Sequence, residues 1–146
     1  MKDEKSFLNK IFFLEDEATA DIAFIANGES LEEAFSLAGQ TFSHIIVDFD
    51  MIDSNVKKEF SLIAEDKKAL LYDYIDELIF LFDSEYWLFR EINAKIDKKE
   101  DGFHLFISGK GEFYSPSKHE AKTHIKAITF FGMEIFDKAV KITVDV

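Results

Sequence analysis

The stretch Asn27-Gly28-Glu29-Ser30-Leu31-Glu32-Glu33-Ala34-Phe35 joins a short apolar segment to a long helical pattern. Asn27-Gly28 is a strong turn signal because both residues tolerate positive φ. Ser30, with Glu33 three residues later, forms a capping box that predicts the start of a helix. Apolar residues then recur at helical spacing as far as Ile46, at Leu31, Ala34, Phe35, Ala38, Phe42, Ile45 and Ile46. This stretch therefore predicts a strand, a turn and an amphipathic helix in succession.

A second amphipathic helix is predicted after Asp66, which is a suitable N-cap. Its apolar face comprises Leu70, Leu71, Tyr74, Ile75, Leu78, Ile79 and Phe82, and its polar face carries Asp73, Asp76 and Glu77. Short strands are predicted over residues 11–14, 20–26, 60–64, 88–96, 103–109, 123–131 and 140–146. Each helix needs an apolar surface to pack on, so the sequence predicts a single-domain α+β fold, with two helices packed on an antiparallel or mixed β-sheet.

Length and composition indicate one domain of ordinary size. The chain has 146 residues, from which we expect a flexible N-terminal tail over residues 1–10 and one folded domain over residues 11–146. The absence of cysteine excludes disulfides, thiolate catalysis and Cys-based zinc sites, and fits a cytoplasmic location. The longest apolar run, residues 78–82, is too short to span a membrane. The oligomeric state is left open.

The chain is strongly acidic, with a formal net charge of −12. Such a surface repels a phosphate backbone, so direct nucleic-acid binding is not expected. Divalent cations and basic protein surfaces are the partners that this charge favours, although acidity also keeps an aromatic-rich protein in solution. The aromatic residues around the second helix, among them Phe80, Tyr86 and Trp87, are assigned to the core, because no basic residues alternate with them as in a base-stacking platform.

Two aspartates stand out by their position in predicted strands. Asp145 lies on the polar face of an otherwise apolar strand, beside Val146, whose carboxylate adds a second anionic group if that residue ends the protein. Adjacent carboxylates repel unless a cation or donor lies between them, and Ca²⁺ or Mg²⁺ would suit such a group. Asp21 starts a strand whose neighbours Ile22 and Phe24 should face the core. Taken singly, each aspartate is explained better as a solvated side chain.

Other polar residues give weaker signals. Lys126 interrupts an apolar run, where pairing with an acid and simple solvation explain it equally well. The four histidines, His44, His104, His119 and His124, show no metal-ligand spacing and are interpreted as surface or hydrogen-bonded structural residues. No phosphate-binding loop or nucleophile motif is recognised. The residues alone therefore predict an acidic α+β domain with a candidate cation site.

Several strings, in order, resemble the archease family. They are Ala18-Thr19-Ala20-Asp21, Asn27 to Phe35, the helix over residues 70–83, Gly111-Glu112, His119-Glu120, Lys126-Ala127-Ile128-Thr129 and Val144-Asp145-Val146. The resemblance covers nearly the whole chain after the first ten residues. It departs from the family pattern at two places: the motif histidine before Thr19 is Ala18 here, and the later aromatic-His pair is Phe130-Phe131.

The resemblance implies a function. Archeases are protein cofactors of RtcB-type RNA ligases in tRNA splicing and RNA repair, where they promote guanylylation of the ligase and multiple turnover. By resemblance, a divalent cation of the Ca²⁺ or Mg²⁺/Mn²⁺ type would be held by Asp21, Asp145 and Val146, with Lys126 as a further functional candidate. The protein is then expected to be a non-catalytic activator with a protein partner.

Two other functions compete with this interpretation. A general chaperone-like modulator of basic RNA-modifying enzymes would act through net charge, with an effect that salt screens. A metal-dependent hydrolase would use the acidic pocket itself, but the sequence offers no obvious general base or nucleophile beyond the expected metal ligands.

Overall fold

The computed structural model describes residues 5–14 and 21–146. The chain forms α1 (Lys5–Leu8), β1 (Ile11–Leu14), β2 (Asp21–Asn27), α2 (Leu31–Ile46), a 3₁₀ turn (Phe49–Met51), β3 (Val56–Ala64), α3 (Lys67–Glu85), β4 (Trp87–Lys99), β5 (Gly102–Phe113), β6 (Ala127–Ile135) and β7 (Ala139–Asp145). No helix among these residues is both long and apolar enough to cross a membrane.

Both long helices begin where their caps predict. The Ser30 hydroxyl accepts from the Glu33 N–H at 3.0 Å, and the Glu33 carboxylate accepts from the Glu29 N–H at 2.7 Å. Asp66 caps α3 by accepting from the Ala69 N–H at 2.8 Å. These bonds satisfy N–H groups that a helix start otherwise leaves without partners. The α+β class and both helices are confirmed.

The strands form two antiparallel sheets. One sheet has the order β1-β2-β7-β6, and the other has the order β3-β5-β4. Both long helices contact both sheets, and the core lies between these layers. At its centre the Tyr74 hydroxyl donates to the Phe35 carbonyl at 2.9 Å, and the two rings stack with centroids 5.5 Å apart.

Strand boundaries differ from the sequence prediction by three residues or more in four strands. β4 ends at Lys99 rather than at Ile96, and β5 ends at Phe113 rather than at Gly109. β3 begins at Val56 rather than at Phe60, and β6 runs over Ala127–Ile135 rather than from Thr123 to Phe131. Before β6 the chain crosses the end of α2, where Lys122 N–H donates to the Ile46 carbonyl at 2.8 Å and Ala121 bridges Val47. Residues 121–122 therefore bond to the end of α2 rather than to the sheet, and β6 begins further along the chain than predicted.

The core extends into the predicted tail. Residues 1–4 lie outside the described residues, but Lys5–Leu8 forms a helical turn. Phe7 is buried, and its ring lies 4.8 Å from that of Phe49. The folded part of the chain therefore begins before residue 11, because Phe7 has an apolar partner in the 3₁₀ turn.

The assignment of all the aromatic residues around α3 to the core is wrong for two of them. Tyr74, Trp87 and Phe89 are buried, whereas the Phe80 side chain is 59% exposed and Tyr86 is 57% exposed. Phe80 falls on the outer side of α3, away from the apolar face that the sheets cover. Tyr86 has positive φ at the helix C-cap, where the chain leaves the helix before entering β4.

Candidate functional site

The ladder between β2 and β7 places Asp21 directly opposite Asp145. This register is set by the apolar pairs that follow it, Ile22 with Val144 and Phe24 with Ile142. Directly opposed residues in antiparallel strands project from the same face of the sheet, with Cβ atoms about 5 Å apart. Two residues far apart in sequence thus form one carboxylate pair.

The carboxylate pair, Asp21 and Asp145, lies on the face opposite the core. Ile142 and Val144 of β7 are buried, so alternation along the strand turns Thr143 and Asp145 to the other face. Both aspartates are half-buried. A shift of one residue in the register would turn Asp145 inward and Val144 outward, and burial of the apolar residues therefore keeps the two acids together.

The remaining predicted site residues lie at the same end of this sheet. Ala127 of β6 pairs with Asp145 from the side opposite to Asp21. The backbone N–H of Lys126 donates to the Asp145 carbonyl at 2.8 Å, and the Lys126 side chain is exposed. Val146 follows Asp145 and packs against the core. Ala18 and Thr19 lie outside the described residues.

A bulge in β6 borders the carboxylate pair. Thr129 pairs with Thr143 and Glu134 with Lys141, so residues 130–133 stand opposite a single residue of β7. Gly132 has φ +76, and a Cβ built on it would lie 3.5 Å from the Thr143 hydroxyl. Thr143 shares its sheet face with Asp145, two residues further along, and so the bulge lies next to the pair.

Two opposed carboxylates suit a hard divalent cation. Like charges directly opposite each other destabilise a sheet, and a cation between them removes that repulsion. Oxygen donors are what Ca²⁺, Mg²⁺ and Mn²⁺ prefer. Within residues 5–14 and 21–146 no three His, Cys, Asp or Glu side chains come together at metal-binding distance. The pair supplies two carboxylates, and thus two to four of the six or more oxygens that such ions take; the rest would come from other groups or water.

A second acidic cluster, formed by Glu112, His119, Lys118 and Asp53, was missed by sequence reasoning. Glu112 Oε2 lies 2.8 Å from His119 Nε2 and accepts from the Asp53 N–H at 2.9 Å. Lys118 Nζ donates to Glu112 Oε1 at 3.0 Å and to Asp53 Oδ2 at 2.6 Å. Glu112 and His119 are both buried. The cluster ties the chain between β5 and β6 to the segment that precedes β3.

Hydrogen bonding assigns the tautomer of His119. The Ser115 N–H donates to His119 Nδ1 at 2.9 Å, so this nitrogen is the acceptor and Nε2 carries the proton that is donated to Glu112. Burial acts to raise the pKa of Glu112, but hydrogen bonds from Lys118, the Asp53 N–H and His119 together hold it below its ordinary value. Every partner in the cluster is supplied by the protein, which indicates a structural role.

The other histidines are structural or exposed. His104 Nε2 lies 2.7 Å from Asp101, and His124 Nε2 lies 3.1 Å from Asp83. Burial, with help from Lys122, lowers the pKa of His44. The interpretation of the histidines as surface or hydrogen-bonded structural side chains agrees with these contacts for His104, His119 and His124. His44 is instead half-buried, with its ring beside those of Phe7 and Phe13.

Comparison with known proteins agrees with this architecture. The chain is 38% identical over 122 residues to the protein archease of Methanothermobacter thermautotrophicus, covering 84% of this chain and 86% of that protein. It is 38% identical over 119 residues to the protein archease of Pyrococcus abyssi, covering 82% and 84% of the two chains. The solution structure of Methanobacterium thermoautotrophicum protein 1598 superposes with a TM-score of 0.76 at 32% identity, covering 94% of this chain and 99% of that one.

The fold and the paired aspartates define a class of small α+β proteins with two antiparallel sheets and a carboxylate pair at one end of the larger sheet. The model of the Archease protein family (MTH1598/TM1083) matches residues 13–146. The chain belongs to the archease family.

Proposed function

We propose that this protein is the cofactor of an RtcB-type RNA ligase, promoting guanylylation of the ligase and its multiple turnover in tRNA splicing or RNA repair. The observation that carries the proposal is the register that sets Asp21 against Asp145 in a chain that belongs to the archease family. The net charge of −12 supports docking on the basic surface of an RNA-binding enzyme rather than on RNA itself.

The carboxylate pair would hold the cation in this function. Asp21, Asp145 and Val146 are the proposed ligands, of the Ca²⁺ or Mg²⁺/Mn²⁺ type, with Lys126 beside them through its bond to the Asp145 carbonyl. A bound divalent ion supplies positive charge that can orient and neutralise phosphate oxygens. The two aspartates would hold that ion at one end of the ladder between β2 and β7. The apolar residues of these strands that face the core set the register and so fix where the aspartates lie.

The protein itself is proposed to be an activator without catalysis of its own. Among the described residues, the groups placed at the pair are the two carboxylates, the Thr143 hydroxyl and the Lys126 backbone. The buried His119 is bonded to Glu112 on one ring nitrogen and to Ser115 on the other. A hydrolase would need a base free to accept a proton from water. The ligase, and not this chain, is therefore expected to carry out the chemistry.

The test is guanylylation of a purified RtcB-type ligase with labelled GTP, with and without this protein. Asp21→Asn and Asp145→Asn are expected to abolish the stimulation while leaving the thermal unfolding midpoint at or above that of the wild type. The matched control is Asp97→Asn, which removes the same charge from an exposed position on β4, opposite His104. It should stimulate as well as the wild type.

The outcomes separate the competing functions. If Asp97→Asn and Asp145→Asn lose the same share of the stimulation, and salt weakens the stimulation further, the protein is a modulator that acts through net charge. Cleavage of a phosphodiester by the isolated protein would indicate a hydrolase. Full stimulation by both Asp21→Asn and Asp145→Asn would contradict the role proposed for the pair.

A further inference from the structure

The outer face of α3 combines acidic residues with an exposed aromatic ring. Asp73, Asp76, Phe80 and Asp83 follow one another at helical spacing and are all exposed. Residues 69–85 contain five acidic side chains and no lysine or arginine. Burial, together with Asp76 and Glu85 nearby, raises the pKa of Glu77, as expected where negative charge is concentrated.

Apart from Asp66 at the N-cap, the charges at the two ends of α3 oppose the dipole of the helix. Lys67 and Lys68 lie in its first turn, and Asp83 and Glu85 lie in its last. A helix start favours negative side chains and a helix end favours positive ones, and each unfavourable placement costs about 0.3–1 kcal/mol. At the end of α3, Asp83 Oδ1 lies 3.1 Å from His124 Nε2 and Glu85 Oε1 lies 3.0 Å from Lys58 Nζ, so these two acids have partners within the chain. Asp73 and Asp76, on the outer face, form no ion pair within residues 5–14 and 21–146, and theirs are the charges that a partner would meet.

β6 extends this face towards the carboxylate pair. The strand runs antiparallel to α3, because His124 lies 3.1 Å from Asp83 and the Phe130 ring stacks on Tyr72 with centroids 4.2 Å apart. The next residue, Phe131, is 85% exposed. It adjoins Gly132, which lies beside Thr143 on the sheet face that carries Asp145. The exposed aromatic bulge thus connects the acidic helix with the pair.

We propose that Asp73, Asp76, Phe80 and Phe131 form a docking face for the partner protein, which would present a lysine- and arginine-rich surface with an apolar pocket for an aromatic side chain. This inference rests on the proposed function and assigns the partner's binding surface within it. Aromatic side chains surrounded by charge are typical of the residues that carry most of the energy of a protein interface.

Charge complementarity selects this occupant over two others. A second copy of the chain would set one acidic face against another, and RNA would bring phosphates to the same negative charge; both are repelled. A basic protein surface is attracted, and an apolar pocket in it would bury Phe131, which is otherwise left in water. The docking face and the carboxylate pair then have separate roles. The docking face sets the affinity for the partner, and the carboxylate pair sets how far guanylylation of the partner is stimulated.

The experiment titrates this protein against a fixed amount of purified RtcB-type ligase and follows guanylylation. Phe131→Ala and Phe80→Ala should each raise the concentration that gives half of the stimulation by about tenfold, as expected for interface anchors. The double variant Asp73→Asn/Asp76→Asn should raise it too, by an amount that shrinks at high salt. In all three, the stimulation reached at saturation should equal that of the wild type.

Matched controls come from the outer face of the three-stranded sheet. Phe106→Ala removes an aromatic ring that is 43% exposed, and Glu59→Gln/Asp97→Asn removes two exposed charges from the two edge strands of this sheet. Neither should change the half-stimulating concentration. Because all these side chains are exposed, the variants are expected to fold, and thermal unfolding checks this.

The results distinguish the failure of this inference from the failure of the proposed function. If the wild type stimulates and the Phe80, Phe131 and Asp73/Asp76 variants behave like their controls, the docking face is wrong and the function stands. If the wild type neither binds nor stimulates the ligase, both fail. A wild-type dimer in light scattering that Phe131→Ala dissociates, or RNA binding that Phe131→Ala weakens, would also overturn the assignment of a basic protein partner.

Discussion

Two acidic sites in this protein differ in how the charge of their carboxylates is balanced. Glu112 is buried and receives hydrogen bonds from Lys118, His119 and the backbone of Asp53. Asp21 and Asp145 face each other across a ladder with like charges in register. The first arrangement satisfies its charge within the chain, whereas the second brings charge together at a cost. A satisfied carboxylate stabilises the fold, whereas an opposed pair keeps an electrostatic cost, which the proposed cation would remove.

The largest expected effect is on the satisfied site. Glu112→Ala leaves the His119 Nε2 proton, the Asp53 N–H and one bond of Lys118 without an acceptor, so the free energy of unfolding should fall by about 3 kcal/mol. Urea unfolding measures it. Glu120→Ala removes an exposed acid next to His119 and should change the free energy of unfolding by less than about 0.5 kcal/mol. If Glu112→Ala lowers the free energy of unfolding no more than Glu120→Ala does, the cluster does not have a structural role.

The second largest change in the free energy of unfolding is expected for substitutions in the bulge that borders the carboxylate pair. Gly132 has φ +76 and room for a Cβ beside Thr143, so Gly132→Ala should cost about 1–2 kcal/mol through backbone strain and not through a clash. Gly132→Asn should cost less, because asparagine tolerates positive φ. Thermal unfolding of both variants tests this, and equal costs would contradict a backbone origin.

The two sites should also differ in their dependence on pH. The pKa of Glu112 lies below its ordinary value of 4.5 in the folded protein, so its contribution to stability is complete above that pH. The contribution is lost as the pH falls from 4.5 through the lower folded value, because the unfolded chain takes up the proton first. Urea unfolding at several pH values should show a steeper acid loss in the wild type than in Glu112→Gln. If the free energy of unfolding falls equally steeply with decreasing pH in both proteins, Glu112 does not contribute to the acid loss of stability.

The smallest expected effect has the opposite sign. Asp145→Asn removes the repulsion with Asp21, so in metal-free buffer the free energy of unfolding should rise by about 0.5 kcal/mol. Asp97→Asn, which lies opposite His104, should not produce this gain. Destabilisation in Asp145→Asn would mean that the pair is held by other contacts and carries no electrostatic cost.

Local rules made much of the fold predictable. The capping residues Ser30 and Asp66 fixed both helix starts, and alternation in β7 fixed which of its residues face the core. The residues alone identified Asp21 and Asp145 singly, and only the family resemblance assigned both to one site, because their pairing depends on the register of two strands far apart in the chain. The Glu112 cluster could not be predicted, because its partners come from three segments, and no short spacing connects Asp53 with His119. The exposure of Phe80 could have been predicted, because helical spacing places it outside the apolar face of α3; it was missed because the aromatic residues were assigned to the core as a group.

The most direct test of the central claim is the stability of the metal-free protein titrated with CaCl₂ or MnCl₂. If Asp21 and Asp145 hold a divalent cation, the wild type should gain about 2.7 kcal/mol at a concentration one hundred times its dissociation constant. Asp21→Asn and Asp145→Asn should gain almost nothing, while Asp97→Asn follows the wild type. An equal gain in all four proteins, or none in the wild type, would contradict the account.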